Sequence, residues 1–194
     1  QVIGLGLAEA MEGLGTEVEA WTGRELTGYS LEVLAEDAPE ALALLAEMVV
    51  APSFPPEELE RERSVVAAEA AMVREDPEAW LMDELVRGAW SGHAAGRPVL
   101  GDPAVIERVG ADELARYHAR FYTGGRMVVG VAGGVDPEAV LAQAEQLFGH
   151  LPAGKAEPHT TPSFGSGQET RTVAYEQAHL GWAGPAPSRT DPRR

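Results

Sequence analysis

The sequence of 194 residues contains no cysteine and no asparagine. Without cysteine there is no disulfide framework, no thiolate metal site and no cysteine nucleophile. Without asparagine there is no acceptor for N-glycosylation. The lack of cysteine leaves the compartment unknown, since a soluble cytoplasmic protein and a periplasmic or otherwise exported one can both lack it.

Positive charge is also scarce, because 15 Lys and Arg face 31 Asp and Glu and give a net charge of −16. Phosphate binding needs a basic surface, so this charge argues against nucleic acid and disfavours anionic membranes as partners. A cationic peptide or protein is compatible with the charge, although acidic surfaces commonly serve solubility. No run of about 18 apolar residues occurs, so we expect no membrane insertion.

Both ends of the sequence suggest a piece of a longer protein. The first residues, QVIGLGLAEA, lack an initiator Met and the basic stretch that opens a signal peptide. The last residues, GWAGPAPSRTDPRR, stop on a turn-like stretch without a closing element. The hydrophobic content of 44% is typical of a globular protein. We therefore expect a globular domain that is truncated at both ends.

Hydrophobic spacing and capping signals predict a mixture of helices and strands. We expect helices at 4–14, 38–50, 56–75, 76–90, 103–108, 111–122 and 136–148. Strands are predicted at 16–22, 26–34 and 126–134, with a strand pair within 170–184. Because strands and helices do not alternate strictly, the predicted fold class is α+β with an antiparallel or mixed sheet.

The segment ELERERSVVAAEAAMVREDP, residues 58–77, has one carboxylate in an unusual place. The helical neighbours of Glu69 one turn away are all apolar: Val65, Val66, Met72 and Val73. Glu62, seven residues earlier, lies within about 20° of Glu69 around the helix axis. An unpaired carboxylate on a buried face costs several kcal/mol, so Glu69 should be paired or metal-bound. Spacing alone favours an ion pair with an Arg and leaves a metal ligand as the alternative.

The five histidines do not complete a metal site from the sequence. They lie at His93, His118, His150, His159 and His179. No two are four residues apart or in an H-x-x-E-H arrangement, so the sequence supplies no zinc-binding histidine pair. His118 lies on an aromatic helix face, where we expect a packed, hydrogen-bonded ring rather than a ligand.

Three segments, taken in order, resemble one family along nearly the full chain. The stretch EAMEGLGTEVEAWTGRELTGYSLEVLAEDAPEALALLAEMVVAPSF resembles a helix that ends at Gly before a strand of the pattern NAyTsrExTxY. EELERERSVVAAEAAMVREDPEAW resembles an eElerEreVvleEi…ddP helix, and the region from GRPVLGDP to FGHLP resembles the section that follows it. The ordered set is similar to the pitrilysin/insulinase zinc peptidases, the inverzincins of family M16. The resemblance implies an M16/LuxS-like half-domain, with a largely antiparallel sheet packed with helices.

The resemblance also implies roles for single residues. In the family, zinc is held by the two His of H-x-x-E-H and by a distal Glu, which corresponds to Glu69; Glu62 corresponds to the Glu that supports the site. The family spacing of roughly 75 residues between that motif and the distal Glu puts the motif before Gln1. The resemblance therefore implies that these residues lack both His ligands and the general-base Glu.

The edge strand that binds the substrate backbone corresponds to Glu19, Ala20 and Trp21. The family usually has Asn where this sequence has Glu19, so the polar contact with substrate differs here. A second M16 half-domain or subunit is expected to close over the peptide or protein substrate. The implied organisation is an M16 N-terminal domain at 1–150, a linker at 151–169 and the start of the next M16 segment at 170–194.

Three hypotheses follow. In the first, the chain is part of a zinc endopeptidase, in which Zn²⁺ is the cofactor and Glu69 is one of its ligands. The second is a non-catalytic M16-like subunit or half-domain with a structural or interaction role. The third is an acidic α+β binding domain in which Glu69 forms a buried ion pair. An H-x-x-E-H motif upstream of Gln1 would separate the first from the second.

Overall fold

The structure is a computed structural model and describes residues 5–155, 160–174, 176–188 and 191–192. The described residues form these helices: α1 Leu5–Gly13, α2 Ala38–Val50, α3 Pro56–Glu75, α4 Pro77–Ala89, α5 Pro103–Ile106, α6 Ala111–Phe121 and α7 Pro137–Phe148. Two strands, β1 Glu19–Thr22 and β2 Thr27–Ser30, form an antiparallel hairpin. Single 3-10 turns lie at Ala35–Asp37, Ala94–Gly96 and Gly124–Arg126. The α+β class predicted from the sequence is confirmed.

The described chain divides into two compact units. The first comprises the described residues up to 22, 26–62 and 108–155, and the second comprises 23–25, 63–107 and the described residues from 160 onward. Helix α3 begins in the first unit and continues into the second.

The core of the first unit is small and forms around α2. Met11 of α1 and Met48 and Val49 of α2 are buried together. Partly buried apolar residues surround them: Leu7, Val18, Tyr29, Leu31, Leu44, Leu45, Tyr122 and Met127. Helix α7 also packs on α2, and the side-chain amide of Gln143 donates to the carbonyl of Pro39 at 2.7 Å. The hairpin, α1, α2 and the end of α6 thus share one apolar centre.

The second unit begins its α4 helix with a side-chain cap. The Asp76 carboxylate accepts from the backbone N–H groups of Glu78 at 2.9 Å and Ala79 at 3.1 Å. At the other end of α4, Trp90 packs edge-on against Phe164, with ring centroids 5.7 Å apart. Pro77 at the first helical position leaves the Asp76 carboxylate facing the free N–H groups, which stabilises the start of α4.

The helices predicted from the sequence are all present with small changes at their ends. The strands predicted at 126–134 and within 170–184 are absent from the described residues there. A strand exists only when a neighbouring strand completes its hydrogen-bond ladder. The backbone at Met127 is extended, with φ −117° and ψ 141°, but Val128 is 95% exposed. The apolar run therefore has no ladder partner among the described residues.

Candidate functional site

The first part of the candidate site is helix α3. It starts at Pro56 with Glu57 and Glu58 in its first turn and carries Arg74 in its last turn, which suits the helix dipole at both ends. On its solvated face the Arg61 guanidinium donates to the Glu58 carboxylate at 2.8 Å. None of the described side chains of α3 is buried. The side chains of the helix are therefore at most half-buried along its length.

Glu69 lies on an exposed part of α3, with Val65 50% and Met72 69% exposed beside it. The prediction that Glu69 lies on a buried apolar stripe is therefore wrong for this chain, since Glu69 itself is exposed and Val66 and Val73 are only half-buried. Its side chain has no hydrogen-bond or ion-pair partner within the described ranges. The predicted buried ion pair with an Arg is not formed there.

Glu62 lies seven residues before Glu69 on the same helix and is half-buried. Within the described part of the chain, no group of three or more His, Asp or Glu side chains lies close enough to hold a metal ion. Catalytic zinc takes three protein ligands and leaves one position open. The described side chains therefore do not by themselves fit zinc.

Two of the histidines are occupied by other contacts. His118 donates from Nε2 to the carbonyl of Val49 at 2.7 Å, and its ring stacks on Tyr122 at 4.5 Å. The packed, hydrogen-bonded role predicted for His118 is confirmed. His93 accepts from the Ala95 N–H at Nδ1 and donates from Nε2 to the carbonyl of Thr160 at 2.9 Å. His159 lies outside the described residues.

The second part of the candidate site is the hairpin edge. Glu19, Ala20 and Trp21 lie in β1 as predicted, and all are exposed. β1 pairs with β2 along one edge, and no other strand of the described residues pairs with its opposite edge. Such an edge presents backbone N–H and C=O groups to which an extended peptide can pair.

The two faces of the hairpin differ. The register pairs Glu19 with Ser30 and Trp21 with Gly28, so these four residues share one face. A Cβ at Gly28 would lie 2.4 Å from Cε2 and Nε1 of Trp21, which means that the indole lies across a glycine and fills the space of a side chain. Ser30 donates from Oγ to the Glu19 carboxylate at 3.4 Å. The exposed face of the hairpin thus carries the Glu19 carboxylate and the Trp21 indole side by side.

The other face holds the hairpin against the core through a contact that the sequence did not predict. Tyr29 lies opposite Ala20, and its hydroxyl is 2.8 Å from the hydroxyl of Tyr122 at the end of α6. Burial and the hydrogen bond with Tyr122 raise the pKa of Tyr29 above that of an ordinary tyrosine. The two residues are 93 positions apart, so no local spacing signal links them.

Arg24, in the hairpin turn, is a second contact that sequence spacing does not reveal. Its guanidinium donates to the Asp83 carboxylate at 3.0 Å and to the carbonyl of Ala95 at 3.3 Å. A third bond goes to the carbonyl of Arg97. Arg24 is the one basic residue between residues 9 and 40 of the sequence, and its guanidinium is occupied by these three acceptors.

The helices and the hairpin belong to the class of α+β peptidase domains, as comparison with known families shows. A family model described as Insulinase (Peptidase family M16) matches residues 3–103, and one described as Peptidase M16 inactive domain matches residues 108–194. The chain belongs to peptidase family M16, as its sequence pattern predicted. The domain boundaries predicted after residues 150 and 169 stay a prediction.

Curated relatives of this family carry zinc protease names. The chain is 34% identical over 175 residues to "Uncharacterized zinc protease YmxG" of Bacillus subtilis (strain 168), covering 90% of this chain and 42% of the relative. It is 30% identical over 202 residues to "Uncharacterized zinc protease SCO5738" of Streptomyces coelicolor (strain ATCC BAA-471 / A3(2) / M145), covering 98% and 43%. The chain thus spans less than half the length of these relatives.

The fold also matches solved M16 structures. The structure of a peptidase M16 inactive domain from Pseudomonas fluorescens superposes with a TM-score of 0.73 at 26% identity, over 81% of this chain and 39% of that one. The M16 domain fold predicted from the sequence is therefore confirmed, and the family is one of metalloprotease hydrolases. No described helix combines the length and the apolar character that crossing a membrane requires.

Proposed function

We propose that the chain is part of a zinc-dependent M16 endopeptidase that hydrolyses peptides or small proteins bound in extended form. The observation that carries the proposal is the match of residues 3–103 to the Insulinase (Peptidase family M16) model, a range that includes Glu69, the carboxylate that corresponds to the distal zinc ligand of the family. Family membership and the names of the relatives support a metal ligand at that position.

Glu69 supplies one zinc ligand in this proposal, and the histidine ligands come from residues outside the 194 of this sequence. One carboxylate does not hold the ion, so the 194 residues alone bind zinc poorly and are inactive. Glu62, half-buried and on the same side of the helix, orients the ligands.

The substrate pairs with the free edge of β1, beside Glu19, Ala20 and Trp21. Backbone pairing accepts many sequences, because it uses groups that every residue has. A second M16 half-domain or subunit closes over the bound peptide. This partner is consistent with a chain that spans 42% of a relative's length.

The second candidate is a non-catalytic M16-like subunit or half-domain. It is favoured by the match of residues 108–194 to a model described as an inactive domain, and by Glu19 in a position where the sequence pattern of the family has Asn. The presence of both Glu62 and Glu69 at the positions that correspond to the supporting Glu and the zinc ligand of the family counts against it, since a half without zinc has no need to keep both.

The test uses the full-length protein that contains this chain. Glu69→Gln keeps the shape of the side chain and removes its charge, so we expect loss of bound zinc and at least a hundredfold loss of peptide hydrolysis. Glu62→Gln should lower zinc affinity by about 10- to 100-fold, as removal of outer-shell partners does. Glu57→Gln, an exposed carboxylate in the first turn of the same helix, is the matched control and should change neither.

Zinc content is measured by atomic absorption and hydrolysis with an internally quenched peptide. Full zinc content in Glu69→Gln would reject the ligand assignment. A wild-type protein that binds zinc but cleaves no peptide would favour the non-catalytic candidate instead.

A further inference from the structure

The exposed face of the hairpin carries two groups that together suit a cation. Glu19 and Trp21 are two residues apart in β1, so both side chains leave the same face, about 7 Å apart along the strand. The face is exposed along β1, and Trp21 keeps 53% of its surface accessible. An extended peptide on the free edge of β1 would place every second side chain on this same face.

The indole of Trp21 is fixed in a position that exposes it. Its ring lies across Gly28, the directly opposite residue, where the missing Cβ leaves the room that the ring occupies. A cation within about 6 Å of an indole ring centre is attracted by the ring quadrupole.

The carboxylate of Glu19 adds a negative charge that its neighbours leave largely uncompensated. Its polar contact is the weak bond from the hydroxyl of Ser30 at 3.4 Å, which neutralises no charge. Between residues 9 and 40 the sequence has one basic residue, Arg24, whose guanidinium is bound to Asp83 and to two carbonyls. Acidic residues fill the same interval: Glu9, Glu12, Glu17, Glu19, Glu25, Glu32, Glu36, Asp37 and Glu40.

The position of this face is set by the hydrogen bond behind it. Tyr29 lies opposite Ala20 on the other face and is tied to Tyr122 by the 2.8 Å hydroxyl contact. Tyr122 is itself held by the stacked ring of His118. The hairpin is therefore anchored from its inner face, while its outer face is left exposed.

We propose that Glu19 and Trp21 select a lysine or arginine side chain of an extended peptide paired with β1. A side chain directly opposite Trp21 lies diagonal to Glu19, and a long cationic one reaches both the ring and the carboxylate. A neutral side chain of the same length gains only the ring, and an acidic one is repelled by Glu19. The inference rests on the proposed function, and it names basic peptides as the preferred substrates.

The experiment compares peptides that differ at one position, which holds lysine, norleucine or glutamate. Binding is measured by fluorescence anisotropy with the metal-free full-length protein, and hydrolysis with the zinc-loaded protein. Because exposed cation–π contacts and exposed ion pairs are each worth a few-fold in affinity, lysine should bind about tenfold more tightly than norleucine. Glu19→Gln and Trp21→Leu should each reduce this preference to about threefold.

Two further variants test whether the charge of Glu19 itself causes the lysine preference. Glu12→Gln removes one exposed carboxylate from α1 and should leave the preference unchanged, which separates Glu19 from the general charge of the chain. Glu19→Lys should reverse the order, so that the glutamate peptide binds more tightly than the lysine peptide. That gain shows directly that the variant is folded.

Equal binding of the lysine and norleucine peptides to the wild type would overturn the inference. So would a preference that neither Glu19→Gln nor Trp21→Leu lowers. A lysine preference in binding without any hydrolysis supports the inference while contradicting the proposed peptidase activity. Hydrolysis without any preference among the three peptides would support the proposed peptidase activity and contradict the inference.

Discussion

The hairpin and helix α3 both expose the side chains proposed to act, but they differ in what holds those side chains. Behind the exposed residues of β1, Tyr29 packs against the core around Met48 and bonds to Tyr122. Around Glu69, no side chain of α3 is buried; Val65 and Met72 are exposed, and the other apolar neighbours are half-buried. The hairpin is therefore backed by the core of the first unit, whereas the helix face around Glu69 is covered only in part by the described residues.

The difference bears on how much of each proposed site the chain contributes. A binding edge needs a backbone with free polar groups and a fixed position, and β1 has both. A metal site needs several ligands from different elements, each oriented by further contacts. One exposed carboxylate meets only part of that requirement, so the metal site proposed at Glu69 needs ligands that the described residues do not supply.

The largest expected difference in unfolding free energy is between truncation of Met48 and truncation of Met72. Met48 is 5% exposed in the core of the first unit, while Met72 is 69% exposed on α3. Met48→Ala should lower the free energy of unfolding by about 2–5 kcal/mol, because it leaves a cavity. In the 194-residue chain Met72→Ala should change it by less than about 0.5 kcal/mol. Urea denaturation followed by circular dichroism measures both.

The same pair also tests whether α3 is covered in the full-length protein. There, Met72→Ala should become destabilising by about 1 kcal/mol or more, because residues outside this chain pack on it. Equal, negligible effects in the short chain and in the full-length protein would mean that the helix face is a true surface. That result would remove the support for a metal site at Glu69.

The sequence predicts local structure well because the signals for it are local. Asp76 and Asp136 each stand just before a proline, and both accept backbone N–H groups at the start of α4 and α7. The helices follow from apolar spacing, and the family pattern predicts the M16 fold. The hairpin follows from alternation on each side of a Gly-containing turn.

The sequence fails where the outcome depends on distant partners. The apolar run at 126–134 has the composition of a strand, yet no described strand pairs with it. The burial of Glu69 was inferred from its own helix, but burial is decided by what packs on that helix. The hydroxyl contact between Tyr29 and Tyr122 is invisible for the same reason, since it joins residues 93 positions apart. The metal-ligand role of Glu69 and the supporting role of Glu62 stay predictions.

Removal of the Tyr29 hydroxyl tests how the hairpin is attached to the core. We expect an intermediate effect on the free energy of unfolding. Tyr29→Phe should cost about 1–3 kcal/mol of unfolding free energy, because Tyr122 keeps a partly buried hydroxyl without its partner. The double variant Tyr29→Phe with Tyr122→Phe should recover part of the loss. A double variant as unstable as the sum of the two singles would mean that the hydroxyls do not interact.

The raised pKa of Tyr29 adds a pH signature. The unfolded tyrosine loses its proton near pH 10, whereas the folded one keeps it to higher pH. Between those values the unfolded state binds fewer protons, so the stability that Tyr29 contributes is present below about pH 10 and falls as the pH rises further. Tyr29→Phe should flatten this alkaline loss, and urea midpoints between pH 8 and 11 measure it.

The smallest effect is expected on α3, where the Arg61 guanidinium donates to Glu58 at 2.8 Å. Arg61 is largely exposed, so solvent and salt screen the ion pair. The pair also joins two residues that are only one helical turn apart. Arg61→Ala should change the unfolding free energy by no more than about 0.5 kcal/mol, and by still less in 1 M salt. Arg61→Gln, which keeps the length of the side chain, is the control for the loss of helix propensity and packing. A loss as large as that of Tyr29→Phe would show that Arg61 has a role beyond this pair, and α3 would then be as firmly held as the hairpin.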